Sequence, residues 1–236
     1  MSLKVLADKP AITASRKELD AMGASALDGA LSALIHRLHL SRGVHMGDQL
    51  KSWDVLQTVK FLNQHIKKSD AVLDIGCYAS EITSSLFQIG YTNLTGADLN
   101  PNLGKMPHQG KIKYQVTDFM RTPFAADSFD AVTSISVIEH GFSPEALLTE
   151  MSRILKSGGY FISSFDYWPE KIDTQDTKFF GMDWKIFSER EVAAFVKMSA
   201  DFGFKPVGEL AFSGKERPIE CGGREYTFGW LALVKV

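Results

Sequence analysis

From Asp70 onward the chain alternates short β-rich runs with helical stretches, and this alternation confines it to a narrow class of folds. The runs are AVLDI (71–75), LTGAD (94–98), IKYQV (112–116), FDAVTSI (129–135) and YFISSF (160–165). Strands separated by helical crossovers require a mostly parallel sheet with both faces covered. Between the fourth and fifth runs, Leu147, Met151, Ile154 and Leu155 share one helical face, and the Gly158-Gly159 pair closes that connection. Beyond a polar and aromatic connection over 167–187, Ser188 opens a helix with capping-box spacing to Glu191. Two closing strands, about 206–212 and 226–235, are joined by KERPIECGGRE and read as a hairpin, so one edge of the sheet is expected to be antiparallel. The expected architecture is a doubly wound α/β sheet.

The first third carries helical periodicity instead. Ser15 and Glu18 stand in capping-box spacing, and Leu27, Leu31, Leu34, Ile35 and Leu38 repeat on one face, which predicts a helix over 15–39. A loop, SRGVHMGDQ, leads to a second helix from about Leu50 to Lys67, with Trp53, Leu56, Val59, Phe61 and Leu62 apolar. At 236 residues the whole fits one domain, with 1–50 as a helical extension to a core over 51–236.

Composition excludes several functions. A formal charge of -2 with interspersed signs gives no nucleic-acid signature. Cys77 and Cys221 lie far apart, outside any metal-binding or disulfide pattern, which points to a reducing, cytoplasmic compartment and to no metal site. Asp8 and Lys9 interrupt the N-terminus before a secretion signal forms, and no run approaches the roughly 20 apolar residues of a membrane span. Oligomeric state is left open by these patterns.

The strongest chemical signal is VLDIGCYAS, 72–80, where a buried strand delivers Asp74 and Gly76 into a turn and a helix begins at about Ser80. Ligands of open α/β sheets bind beyond the carboxyl ends of such strands, and a glycine there lets backbone amides come close. A plain strand-to-helix turn would also use glycine. Asp98, in GADLNP, lies 22 residues past Gly76 and suits ribose hydroxyls, or else caps the segment opening at Pro101. Asp118 and Phe119 follow the third strand, where an acid and a ring can meet an adenine, or form an ordinary turn. The stretch Ser134–His140 follows the fourth strand, and His140 and Glu139 are the nearest candidates for a general base, should a hydroxyl be the reacting group, unless His140 merely ends a helix or sits in solvent.

Taken together, VLDIGC, GADLNP, VTDFMRTPFAADSFDAV and SRILKSGGYFI resemble class I S-adenosylmethionine-dependent methyltransferases over about residues 55–236. The resemblance implies seven strands with the last antiparallel, and S-adenosylmethionine as cofactor. By position it implies cofactor contacts at Asp74, Gly76, Cys77, Tyr78, Asp98, Leu99, Asp118, Phe119 and Ser136. The stretch DYWPEKIDT is also similar to methyltransferases encoded among sugar- or polysaccharide-biosynthesis genes. One departure stands out: the family pattern GxGxG here reads Gly76, Tyr78, Ser80. Tyr78 either packs toward the cofactor, where a ring attracts a sulfonium by about 0.5–2 kcal/mol, or fills its pocket.

The expected partner is a small-molecule methyl acceptor, with neither nucleic acid nor membrane involved. The expected acceptor wall comprises His45, in the loop HMGDQLKSWD, with Asp166, Tyr167 and Trp168 at the tip of the fifth strand. The N-terminal helices are expected to close over the site as a lid, or simply to cover one face of the sheet. Two rival functions remain: a catalytically silent cofactor binder, suggested by Tyr78 and Ser80, and a nicotinamide oxidoreductase, disfavoured because GxGxxG is absent.

Overall fold

The computed structural model describes residues 1–27, 43–179 and 181–236. A short strand, β1 (Leu3–Val5), precedes the five predicted ones, which become β2 (Val72–Ile75), β3 (Leu94–Asp98), β4 (Lys113–Val116), β5 (Phe129–Ile135) and β6 (Leu155–Tyr167). Five more follow: β7 (Lys178–Phe179), β8 (Met182–Asp183), β9 (Phe204–Pro206), β10 (Ile219–Cys221) and β11 (Arg224–Lys235). The helices are α1 (Lys9–Ala21), α2 (Ser52–His65), α3 (Ile82–Gln88), α4 (Pro144–Ile154) and α5 (Glu189–Ser199).

The main sheet runs β1-β11-β6-β5-β2-β3-β4, with β9 and β10 also paired to β11. Strands β2 to β6 are parallel, and β11 is antiparallel to β6. The reversal in strand order falls between β2 and β5, and ligands bind at such a switch point because the crossovers there leave to opposite faces. Alternation along the strands divides the core. Val72, Leu94, Ala131 and Ile162 face α1, α2 and α3, whereas Leu73, Ala97, Val132 and Phe161 face α4 and α5.

Several boundaries differ from expectation. Helix α1 begins at Lys9, capped by the Asp8 carboxylate on the Ala11 amide at 2.9 Å, with Pro10 in its first turn. Ser15, expected as the cap, is buried inside that helix, and Gly23 at φ +66° stands just past its end. Leu31, Leu34, Ile35 and Leu38 lie outside the described residues. The closing hairpin joins β10 to β11 across Gly222-Gly223, and β9 pairs with β11 separately. Strand β11 is not the edge, because β1 adds to its far side with Leu3 opposite Leu231. Gly158-Gly159 lies within β6, where Gly158 takes φ +78° beside a register shift between Phe129 and Ala131. Among the described residues no helix is long and apolar enough to cross a membrane.

Candidate functional site

A cleft of about 1030 Å³ opens over the carboxyl ends of β2, β3, β5 and β6. Gly76 lines it with φ +67°, and a Cβ there would lie 2.4 Å from Val137 Cγ2. Glycine is therefore required twice, for conformation and for space. The turn's second left-handed position is Ala79, at φ +63°. The Asp98 carboxylate, at the tip of β3, accepts from the Tyr78 amide at 2.9 Å and from the Asn100 amide at 2.8 Å. It thus locks the turn after β2 to the end of β3, while its remaining lone pairs stay available. Asn100, not Asp98, caps the short 3₁₀ turn at Pro101, by accepting from the Asn102 amide at 2.9 Å.

Of the residues singled out in the sequence, Gly76, Tyr78, Asp98, Leu99, Asp118, Phe119, Ser136, Glu139, His140 and Asp166 line this cleft. Leu99 is 59% exposed, an apolar surface left for a ligand to cover. Ser136 takes φ +55°, and its buried hydroxyl has no hydrogen-bond partner among the described residues. The Tyr78 ring packs against the small cluster of Met46, Cys77, Leu103 and Met106, so it forms one wall of the cleft.

Five others lie off the cleft wall. Asp74 is buried beneath the turn, accepting from the Thr133 hydroxyl at 2.7 Å, and burial pushes its carboxyl up to about 7. Cys77 is buried against Gly96, and burial raises its thiol far above the ordinary range. Tyr167 follows Asp166 by one position, so the pleat turns it to the opposite face, where its hydroxyl donates to the Phe212 carbonyl at 2.6 Å. Trp168 lies past the strand end beneath the Arg217 guanidinium, 4.3 Å from the ring centroid. His45 is exposed on the loop before α2.

The inner end of the cleft holds a cluster of charge. Lys51 Nζ lies 3.7 Å from Asp166 Oδ1 and 3.7 Å from the Phe228 ring centroid. Asp166 Oδ2 accepts from Trp184 Nε1 at 2.7 Å, and Asp54, just behind, accepts from the Ser164 hydroxyl at 3.1 Å. Burial pushes Asp54 up to about 7, although Lys51 and Ser164 oppose it. Glu139 is 1% exposed; burial and then Asp166 drive its carboxyl well above the usual range. Burial also pulls the His140 imidazole below its ordinary value, with the Asp166 charge opposing, so the ring is neutral near pH 7. For Lys51 burial is likewise the largest influence and acts downward, yet the fields of Asp166, Asp54, Glu139 and Asp48 together leave it raised. Trp184, Tyr226, Phe228 and Phe179 wall this end with aromatic surface. Lys51, Asp54 and these rings had not been singled out in the sequence. The one available signal was Asp54 itself, an acid inside the apolar run Trp53–Leu56.

The N-terminal segment is fastened to the same turn. The Arg16 guanidinium donates to both Glu81 oxygens, at 2.9 and 2.5 Å, and to the Ser52 hydroxyl at 3.0 Å. The Gly47 amide donates to the Ala79 carbonyl at 2.8 Å.

Residues 73–163 match the family model described as a methyltransferase domain. Among curated proteins, a sterol 24-C-methyltransferase of Gibberella zeae is 34% identical over 107 residues, which is 42% of this chain and 28% of that protein. A ubiquinone biosynthesis O-methyltransferase of Xanthomonas oryzae pv. oryzae is 32% identical over 106 residues, or 42% of this chain and 44% of the relative. The chain thus spans less than half the length of these relatives. Among solved structures, a geranyl diphosphate C-methyltransferase from Streptomyces coelicolor A3(2) superposes with a TM-score of 0.60 at 15% identity. That superposition covers 97% of this chain and 98% of the other, which identifies a shared fold.

Proposed function

We propose that this chain is a class I S-adenosylmethionine-dependent methyltransferase, a reading that its fold and the domain match over residues 73–163 support, and that it methylates a small-molecule acceptor held at the inner end of the cleft. One observation carries the reading. Gly76, Asp98, Asp118 and Phe119, from three separate strand ends, line the same cleft as the aromatic and acidic groups beyond Ser136. Such a division suits a nucleoside at one end and an acceptor at the other. The residues fit S-adenosylmethionine: Asp98 offers lone pairs toward ribose hydroxyls, Leu99 and Phe119 offer apolar surface to adenine, and Gly76 leaves room that a Cβ would fill. When bound, the cofactor supplies an activated methyl group on a sulfonium.

The chain's own residues then orient and desolvate the acceptor and manage one proton. A neutral His140 can take the proton of an acceptor hydroxyl or amine as its heteroatom gains the methyl, and Glu139, which burial holds toward its protonated form, can do so where a nearby cation keeps it ionised. Trp184, Tyr226 and Phe228 exclude water from the acceptor, and general-base help of this kind is worth about 10²–10⁴-fold. The loop over 43–51, which contributes Gly47, Asp48, Leu50 and Lys51 to the wall, acts as a cover for the site. The free Cys77 and Cys221 thiols support a reducing, cytoplasmic setting.

Titration calorimetry with S-adenosylhomocysteine and with NAD tests the cofactor reading. Binding of the former alone is expected, and binding of NAD alone refutes it. Transfer of tritium from methyl-labelled cofactor to pooled metabolite fractions tests the activity. Cofactor binding with no labelled product in any fraction would favour the silent-binder alternative.

A further inference from the structure

Each carboxylate at the inner end of the cleft accepts hydrogen bonds and donates none once ionised. Glu139 Oε2 and Asp54 Oδ1 are buried with no hydrogen-bond partner among the described residues, and Glu139 forms part of the cleft wall. Buried acceptors without donors are costly, so an occupant that brings donors is favoured there. Among the described residues, Asp54, Glu139 and Asp166 face one ammonium, that of Lys51, which also lies over the Phe228 ring. Burial holds Asp54 and Glu139 toward their protonated forms, and an entering cation, like the Lys51 ammonium, would draw them toward the ionised forms that attract it.

The surrounding surface selects the kind of cation. Trp184, Tyr226 and Phe228 form a continuous aromatic wall, with ring centroids 5.7 and 6.1 Å apart in successive edge-to-face pairs. Aromatic faces attract organic ammonium groups, and Lys51 over Phe228 shows such an arrangement within the chain. A hydrated divalent metal would lie against apolar rings and a lysine. Among the described residues, no group of three or more His, Cys, Asp or Glu is arranged to hold a metal ion. A neutral polyol would bring donors but no charge.

We infer that the acceptor carries a protonated amine, which docks between Glu139, Asp166 and the Trp184–Tyr226–Phe228 wall, with Asp54 supplying charge from behind. This rests on the methyltransferase reading of the same cleft and adds the chemical class of the acceptor. The ammonium anchors the molecule while another atom receives the methyl group; for its own nitrogen to receive it, the ammonium must first give a proton to the neutral His140 ring, which frees the lone pair. Lys51 is then a competitor: its ammonium occupies part of the field that the ligand amine uses.

The test is calorimetry on the full chain saturated with S-adenosylhomocysteine. Its probes are phenethylamine, tryptamine and 2-cyclohexylethylamine, each against its alcohol counterpart: 2-phenylethanol, tryptophol and 2-cyclohexylethanol. At least one amine should bind about 10-fold or more tightly than its alcohol, as a charge-assisted contact requires. Asp54→Asn should remove most of that preference, whereas Lys51→Met should increase amine affinity. General damage to the fold would weaken both variants alike, so the opposite signs isolate the charge effect. The inference is overturned if no amine outbinds its alcohol, or if Lys51→Met and Asp54→Asn move amine affinity in the same direction. Loss of S-adenosylhomocysteine binding by the unaltered protein would instead count against the cofactor reading.

Discussion

Replacing Arg16 by methionine should destabilise the fold by about 3–5 kcal/mol, the usual cost of stranding one partner of a buried ion pair. The Arg16 and Glu81 side chains are 9% and 1% exposed. Without the guanidinium, Glu81 keeps, among the described residues, the Ala26 amide at 3.3 Å, and the Ser52 and Ser25 hydroxyls lose a donor. For a domain of this size each kcal/mol corresponds to about 2–4 °C, so thermal unfolding should begin some 6–20 °C lower. Glu81 directly follows the turn that ends at Ser80, so S-adenosylhomocysteine affinity should fall in the same variant. The paired change Arg16→Met with Glu81→Met removes both charges and should recover a large part of the loss. Denaturant titration of the wild type, both single variants and the double variant completes the cycle. A loss below about 1 kcal/mol for Arg16→Met, or simple additivity in the double variant, would refute the idea that this pair fastens the N-terminal helix to the cofactor turn.

Asp98→Ala should lower S-adenosylhomocysteine affinity about 10- to 150-fold by calorimetry. Because Asp98 also accepts from the Tyr78 and Asn100 amides, the ligand-free melting point should fall too. Gly76→Ala should abolish cofactor binding and cost about 1–3 kcal/mol in denaturant unfolding, since its Cβ would strike Val137 in a left-handed backbone. Asp74 titrates at about 7 in the fold and near 4 when unfolded, so the native state holds the extra proton between those values. Its stability contribution is then full below about pH 4 and is lost as pH rises through 7, at up to about 1.4 kcal/mol per pH unit. Asp74→Asn should flatten that dependence, and identical stability profiles from pH 4 to 8 would refute it. Once an acceptor is identified, His140→Ala should lower turnover about 10²–10⁴-fold and change the pH profile, with cofactor affinity unchanged.

The sequence by itself determined the layers of this protein. Apolar period and length set β2 to β6 and helices α2 and α4, because one strand or helix buries its own side chains by local repetition. The turn at Gly76 and the acids at Asp98 and Asp118 were also legible, since a residue at the end of a parallel strand reaches the ligand edge by topology alone. What lies one or two residues away was not. Asp74 and Tyr167 are neighbours of cleft residues in sequence, yet burial and the pleat send them elsewhere. Strand β1 leaves no mark in the sequence because three residues carry no period, and its partner stands at Leu231. Tertiary structure alone assembled the acidic and aromatic end of the cleft, drawing Lys51 and Asp54 from α2 and the turn before it, Glu139 from after β5, Asp166 from β6 and Phe228 from β11. No spacing rule connects those segments. Their meeting depends on the order of strands, and the fields that shift their protonation arise only when burial removes water from between them.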